Sequence, residues 1–298
     1  MKTSVVIPSY NPALKLPETL EKLIPQASFI DELIIIIDNN NYNEFAKSLL
    51  EKYSSTLKIR IFPQPNSGRG KSRNRGAELA GGDIIIFLDD DMLAEKNLIE
   101  RHMEYHHKNP GIIVSGNGYR NPESANYDFG KFLINMENGW KNKVKGIGEI
   151  TFENFNFTAC NMSLPKSLFQ QLGGFDARFS DGEDFDFAIR ALNKNIKIVY
   201  DNTLIAWHND WPTLRNFISR QKEYTQAKNE IFKIYPEYLE RFSNRLPATP
   251  PFYKKIAGKL LKVPITWFSS THNSIFAVLP RKARFLFYQL TIAVNSND

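Results

Sequence analysis

Short apolar runs alternate with amphipathic stretches along residues 1–90 of the chain. The run at 84–88 is rich in β-branched residues and uncharged, which is typical of a strand buried on both faces. The apolar runs predict strands at residues 5–7, 33–37, 57–62 and 83–88. The stretches between them predict helices at residues 16–23, 45–53 and 72–80, with Pro17 in the first turn of the first helix. This alternation indicates an α/β fold, a mainly parallel central sheet flanked by helices on both faces.

The pattern becomes less regular after residue 112. The predicted helices of this half are 129–140, 166–172, 183–193 and 213–234, and the predicted strands are 155–164 and 196–200. The Pro-bearing stretch 246–251 is typical of a linker. We therefore predict one domain over residues 1–245 and a C-terminal extension over residues 246–298.

Composition places the chain among soluble globular proteins with a sizeable core, because 42% of the 298 residues are hydrophobic and 23% are charged. The single cysteine, Cys160, excludes an intrachain disulfide, fits a reducing compartment and is expected to be a buried structural thiol. The apolar stretch at the N-terminus is too short for a signal sequence. No window reaches the roughly 18 apolar residues of a membrane span. We expect a cytoplasmic protein.

The positive charge is concentrated in the last 48 residues. Residues 251–298 contain seven Lys or Arg and one acid, which equals the net charge of +6 of the whole chain. A basic tail on a neutral body indicates an anionic partner. Basic and apolar residues interleave at 252–263 and 280–290, which fits either an anionic membrane surface on the inner face of the cell membrane or packing on protein. No motif for nucleic-acid recognition accompanies them.

Three carboxylates, Asp89, Asp90 and Asp91, follow the predicted strand 83–88 directly. Ligands of parallel sheets bind beyond the carboxyl ends of the strands, and hard oxygen ligands there suit Mg²⁺ or Mn²⁺ shared with a substrate phosphate. The alternative is a solvated turn before a helix near Ala94, whose dipole would favour the acids.

Two further polar loops follow predicted strands. Asp38, after the strand 33–37, can accept the imide N–H of a uracil ring, although Asp and Asn are also common in plain turns. The stretch 66–76 combines three glycines with four basic residues at a helix start, which suits a diphosphate. It lacks the spacing of a P-loop, and a solvated basic helix face explains it equally well.

Four acids, Asp181, Glu183, Asp184 and Asp186, cluster at the start of the predicted helix 183–193. A carboxylate there could be a general base that deprotonates an acceptor hydroxyl. Stabilisation of the helix start and an i,i+4 pair between Asp186 and Arg190 form the alternative. Single histidines such as His208 are more often structural than ligands.

These signals occur in a specific order. They are Val-Val-Ile-Pro-Ser-Tyr-Asn at 5–11, Asp38, Asn66, Ser-Arg-Asn-Arg-Gly at 72–76, Asp-Asp-Asp at 89–91, Asn-Met at 161–162, Gly-Gly-Phe-Asp at 173–176, Gly-Glu-Asp at 182–184 and Trp-His at 207–208. Over roughly residues 3–210 the chain resembles a family-2 glycosyltransferase with the GT-A fold. The segment 157–190 also resembles the galactosyltransferase-type segment of some of these enzymes.

The resemblance implies roles for individual residues. Asp184 would be the catalytic base, with Glu183 beside it binding the acceptor, and Asp91 and His208 would bind a Mn²⁺ or Mg²⁺ ion. The residues implied in substrate binding are Pro8, Ser9, Tyr10, Asn11, Asp38, Asn66, Arg73, Asp89, Asp90, Asn161 and Trp207. Asn39 stands where the family's Asp-Asp-Gly-Ser motif has its second Asp, which weakens the assignment of base contacts.

The resemblance also implies an activity. It is the metal-dependent, inverting transfer of a hexose or N-acetylhexosamine, with UDP-galactose or its N-acetylated relative as first candidate donor. A glycan or glycolipid hydroxyl would be the acceptor. Residues 1–115 would form the donor half and residues 116–245 the acceptor half. A non-catalytic nucleotide- or sugar-binding module is the alternative, and a sugar nucleotidyltransferase is disfavoured because the loop at 8–12 has no glycine.

Overall fold

The computed structural model describes residues 1–141, 146–179, 181–238 and 279–295. The chain divides into two compact units, Met1–Asn121 with Trp140–Asn209, and Pro122–Gly139 with Asp210–Asp298. The predicted linker 246–251 and the basic stretch 252–263 lie outside the described residues, so the predicted boundary at residue 245 stays a prediction.

The first unit contains a mixed sheet. Its strands among the described residues are β1 (Thr3–Ser9), β2 (Glu32–Ile37), β3 (Ile59–Pro63), β4 (Ile84–Leu88), β5 (Met92–Ala94), β6 (Ile113–Asn117), β7 (Ile147–Glu149), β8 (Asn161–Pro165) and β9 (Ile198–His208). The order is β3-β2-β1-β4-β8-β6-β9-β5, and β7 also pairs with β9. Strands β3, β2, β1 and β4 are parallel, whereas β8 runs antiparallel to both β4 and β6.

Helices lie between these strands and after the last of them. They are α1 (Pro12–Leu23), α2 (Asn43–Tyr53), α3 (Arg69–Leu79), α4 (Leu98–Lys108), α5 (Asp128–Lys141), α6 (Lys166–Gln171), α7 (Glu183–Asn193), α8 (Leu214–Ile234) and α9 (Arg281–Asn295). Short 3₁₀ turns follow at Ile24–Phe29, Asn40–Tyr42 and Pro122–Ser124. No helix of the described residues has both the length and the apolar character that crossing a bilayer requires.

The apolar runs form strands because both faces of the sheet are covered. Alternate residues of β1 and β2 contribute to two separate core clusters, with Ile7 and Ile35 in one and Val6 and Ile36 in the other. Helix α3 packs directly on β1 at Gly76, where a Cβ atom would lie 2.3 Å from Val6 Cγ1. The prediction of an α/β sheet buried on both faces is confirmed.

Several predicted bounds are wrong. Helix α1 begins at Pro12 rather than residue 16, so Pro17 lies inside the helix and not in its first turn. Strand β8 begins only at Asn161, and the preceding residues 155–160 are irregular. A short strand, β5, occupies residues 92–94, where the alternative interpretation placed a helix start. Strand β9 continues to His208, which therefore lies on the strand itself.

The second unit is helical in its described part. Phe129, Phe132 and Phe217 form its buried cluster, and Phe285 and Tyr288 of α9 pack against it. Asp128 accepts hydrogen bonds from Arg284 Nη2 (2.8 Å) and from the Tyr288 hydroxyl (3.0 Å). The described part of the basic tail thus packs at least one of its faces on protein.

Candidate functional site

Polar side chains from separate strands meet at the carboxyl ends of β1 and β4, as predicted for a sheet of this type. The Ser9 hydroxyl, at the end of β1, donates to Asp90 Oδ2, just beyond the end of β4. Burial is the main reason that the pKa of Asp90 is raised to about 7. The nearby charges of Asp91 and Asp89 also raise it, whereas the hydrogen bond from Ser9 lowers it.

Asp91 lies against His208 because their strands pair. Met92 of β5 is opposite His208 of β9 in the antiparallel ladder. The His208 Nε2 atom lies 3.2 Å from Asp91 Oδ2, and Lys15 Nζ lies 3.5 Å from the same oxygen. Burial alone would raise the pKa of Asp91, but the charges of His208 and Lys15 and the hydrogen bond from His208 hold it well below its usual range. Asp91 is ionised at every physiological pH.

Asp91 and His208 could supply two ligands to a divalent cation. Among the described residues no group of three or more His, Cys, Asp or Glu side chains is arranged around a common cation position. One carboxylate and one imidazole nevertheless fit a Mg²⁺ or Mn²⁺ ion that takes its remaining ligands from substrate phosphates and water. The pair fits such an ion only in company with a phosphate-bearing substrate.

Arg73 of α3 joins the strand ends to the start of α7. Its Nη2 lies 2.5 Å from Asp89 Oδ1 and its Nη1 lies 2.6 Å from Glu183 Oε1. Arg73 and Glu183 are 2% and 1% exposed, so this ion pair is buried. A Cβ atom on Gly70 would lie 3.3 Å from Glu183 Cγ, so a small residue there allows the close approach of α3 and α7. The structure pairs Arg73 with Glu183. The roles of Arg73 in substrate binding and of Glu183 in acceptor binding stay predictions.

Asp184 follows Glu183 in the first turn of α7 and is half-buried. Its Oδ1 accepts a hydrogen bond from the backbone N–H of Phe185 (2.8 Å). Burial, followed by the charge of Glu183, raises the pKa of Asp184 to about 6, although Arg73 and Arg69 oppose the shift. A carboxylate that is mostly ionised at pH 7 but has a raised pKa is well suited to general-base catalysis.

Asp38 organises the loop that leads into α3. Its Oδ1 accepts from Gln64 Nε2 (2.7 Å) and from both the backbone N–H and the hydroxyl of Ser67 (2.9 Å each), and its Oδ2 accepts from Gly68 N–H (2.8 Å). Asp38 is 5% exposed, whereas Asn66 in the same loop is exposed. In the structure the Asp38 carboxylate stabilises the conformation of this loop. Its contact with uracil stays a prediction.

The loop after β1 presents an open aromatic ring. Pro8 is buried in the strand, while Tyr10 is 51% exposed and can stack on a planar ligand. Asn11 is exposed and accepts a hydrogen bond from the Tyr42 hydroxyl (3.2 Å).

Asn161 and Trp207 differ in exposure. Asn161 has no exposed surface, because its Nδ2 donates to the carbonyls of Asn117 and Leu204 (3.0 Å each) and its Oδ1 pairs with His102 Nε2 (2.9 Å). Trp207 on β9 is partly exposed and donates from Nε1 to Glu95 Oε1 (2.7 Å). We therefore assign Asn161 to a buried polar network and not to a ligand-facing position.

Smaller predictions are resolved as well. Cys160 is buried, and burial raises the pKa of its thiol to about 12, so it is no nucleophile at neutral pH. Asp186 pairs with Arg190 as predicted, at 2.8 Å. Sequence reasoning missed Lys15 and Thr19, whose contacts with the 89–91 turn become visible only in three dimensions. Their one sequence signal is their spacing of four residues in the helix that follows the polar loop 8–11.

The site can be compared with those of known proteins. The family model described as Glycosyl transferase family 2 matches residues 4–173. An uncharacterised glycosyltransferase of Methanocaldococcus jannaschii is 26% identical over 248 residues, which cover 82% of each chain. The poly(ribitol-phosphate) β-N-acetylglucosaminyltransferase TarP of Staphylococcus aureus is 24% identical over 255 residues, covering 78% of this chain and 71% of that one.

A solved structure of similar fold is S. aureus TarS, residues 1–349, in complex with UDP-GlcNAc. It aligns over 100% of this chain and 91% of its own with a TM-score of 0.53 and 18% identity. The likeness confirms the predicted GT-A fold.

Proposed function

Because the chain belongs to glycosyl transferase family 2, we propose that it transfers a hexose or N-acetylhexosamine from a UDP-sugar to a hydroxyl of a glycan or glycolipid, with inversion and with help from a divalent cation. The observation that carries the proposal is the Arg73 bridge. It connects Asp89, at the strand end beside Asp91, to Glu183, the neighbour of Asp184. A candidate donor site and the neighbour of a candidate base are thereby joined by one buried arginine.

Asp184 has the properties that the chemical step needs. In the proposed reaction it accepts the proton of the acceptor hydroxyl while that oxygen attacks the anomeric carbon. The bond from this carbon to the diphosphate oxygen breaks, and its electron pair leaves with UDP. A single displacement inverts the configuration, and it requires no covalent intermediate on the protein.

Asp91 and His208 would hold the cation in this proposal. A bound Mn²⁺ or Mg²⁺ ion would supply charge neutralisation to the leaving diphosphate. The chain's own contribution is to keep Asp91 ionised through His208 and Lys15 and to fix the turn at residues 89–91. The backbone carbonyl of Asp91 accepts from Asn209 N–H (2.8 Å), which ties that turn to the end of β9.

The donor and acceptor classes are supported by similar proteins. TarP is by name a β-N-acetylglucosaminyltransferase acting on poly(ribitol-phosphate), and TarS was solved with UDP-GlcNAc. These names support a UDP-sugar donor, with an N-acetylhexosamine as first candidate, and a glycan acceptor. In the tail, Arg281 and Lys282 at the start of α9 are exposed and would be available to an anionic acceptor or a membrane surface.

Calorimetric titration with UDP tests the donor site. We expect Mn²⁺-dependent binding to the wild type and a loss of roughly 100-fold in affinity for Asp91→Ala, because the ion loses its carboxylate ligand. Glu51→Ala removes an exposed acid from α2 and is the matched control, with no expected change.

Turnover is then measured as UDP release from a panel of UDP-sugars with glycan acceptors. Absence of UDP binding with and without Mn²⁺ would contradict the proposal. Metal-dependent UDP binding without turnover of any UDP-sugar would instead favour a non-catalytic binding module.

A further inference from the structure

Lys15 reaches the carboxylate end of the candidate donor site from the first helix. Its Nζ lies 3.5 Å from Asp91 Oδ2, the oxygen that His208 Nε2 approaches to 3.2 Å. The Lys15 side chain is 31% exposed and that of Asp91 is 17% exposed, so a dissolved ligand can reach both.

The position of Lys15 is fixed by the packing of α1. The Thr19 hydroxyl, one turn further along, donates to the backbone carbonyl of Asp90 (2.8 Å) and is fully buried. Residues four apart lie on the same face of a helix, so Lys15 and Thr19 both face the 89–91 turn. Leu16 and Leu20 on the adjacent face are buried in the core and hold the helix there. The contact between Lys15 and Asp91 is thus a consequence of the fold.

The charges around Lys15 suit an incoming anion. Asp91 is one ionic partner of Lys15. A lysine ammonium is a compact charge with three donors on a flexible stem, so it can bind a phosphate oxygen while it stays beside a carboxylate. A diphosphate that binds beside Asp91 would bring negative charge close to the Lys15 ammonium.

We propose that Lys15 binds the diphosphate of the donor nucleotide and stabilises it as the leaving group. The inference rests on the proposed function, and it adds a diphosphate ligand supplied by α1. When the bond between the anomeric carbon and the diphosphate oxygen breaks, negative charge grows on that oxygen. An ammonium group already positioned beside it lowers the energy of that charge without reorganisation.

Affinities for UDP and for uridine separate this role from a structural one. Both are titrated into the wild type and three variants in saturating Mn²⁺. For Lys15→Met we expect roughly tenfold weaker binding of UDP, which corresponds to one lost charge-assisted hydrogen bond, and unchanged binding of uridine, which has no phosphate. Lys15→Arg keeps the charge and should retain most of the UDP affinity. Lys22→Met removes a lysine from the last turn of the same helix and should change neither affinity.

Three results would overturn the inference. Equal weakening of UDP and uridine would show that Lys15 supports the fold or the base contacts. Wild-type affinity of Lys15→Met for UDP would show that the ammonium does not bind the diphosphate, while leaving the proposed function intact. Failure of the wild type to bind UDP at all would refute the proposed function and this inference together.

Discussion

Asp91 and Asp184 are both carboxylates with little exposure at the edge of a secondary-structure element, yet their surroundings move them in opposite directions. The contacts with His208 and Lys15 hold the pKa of Asp91 far below its usual range. Burial and the neighbouring charge of Glu183 raise the pKa of Asp184 to about 6. Asp91 therefore stays charged, whereas Asp184 can exchange a proton near neutral pH.

The difference teaches that cation contact, and not burial, separates the two roles. Burial is the largest influence on both groups and raises the pKa of both. The Lys15 ammonium and the His208 imidazole both lie within 3.5 Å of one oxygen of Asp91. Arg73, whose charge also lowers the pKa of Asp184, is instead engaged by Glu183 and Asp89.

The largest effect is expected from Asp184→Asn. Loss of a general base lowers the rate by about 10²- to 10⁴-fold, while the affinity for UDP should stay at the wild-type value. Initial rates of UDP release and calorimetry measure the two quantities. Asp176→Asn, an acid of the same segment paired with Arg178, is the control and should keep most of the activity. Turnover of Asp184→Asn near the wild-type rate would exclude Asp184 as the base.

Arg73→Met should lower the free energy of unfolding by about 3 kcal/mol, because Glu183 remains as a buried charge without its partner. Urea denaturation measures this loss. Lys71→Met changes an exposed lysine on the same helix and should alter the free energy of unfolding by less than about 0.5 kcal/mol. A comparable loss in the two variants would mean that Arg73 contributes helix packing and not a charge bridge.

The smallest effect concerns pH. In the wild type, kcat/KM should fall tenfold per pH unit below about pH 6, since only ionised Asp184 can accept a proton. Glu183→Gln removes the charge that raises the pKa of Asp184, so the acidic limb should move to lower pH by roughly half a unit to one unit. Glu78→Gln, an exposed acid on α3, is the control. An unmoved limb in Glu183→Gln would show that burial alone sets the pKa.

The strands and the two-sided core could be predicted from the sequence because uncharged runs such as 33–37 and 84–88 allow few alternatives. The full length of β9, which extends to His208, could not be predicted in this way. Polar residues at 201–203 interrupt its apolar pattern, and the ladder with β6 shifts register there, from Gly116 opposite Asp201 to Asn117 opposite Ile205. The polar residues that ended the predicted strand therefore lie in a bulge within a longer one.

The sequence locates the candidate residues along the chain but does not reveal most of their contacts. The order of Asp38, Asp91, Asp184 and His208 carried the resemblance, and the structure pairs Asp91 with His208. The partnership of Arg73 with Glu183 spans 110 residues and depends on how α3 and α7 pack, which no local pattern encodes. The sequence likewise locates Asp38 at a strand end but does not assign its role, because a carboxylate there can bind a ligand or accept hydrogen bonds from a loop.

In the hydrogen-bond network around Asn161, the donor and the acceptor of each bond can be assigned. Both amide hydrogens of Asn161 go to carbonyl oxygens, so its Oδ1 must accept from His102 Nε2–H. His102 Nδ1 then accepts from the Ser163 hydroxyl, and Ser163 Oγ can only accept from His106 Nε2–H. Burial lowers the pKa of His102 to about 4 and that of His106 to about 3, so both rings stay neutral and each has a single tautomer. Helix α4 is therefore joined to β8 by a chain of hydrogen bonds in which every donor and every acceptor is fixed.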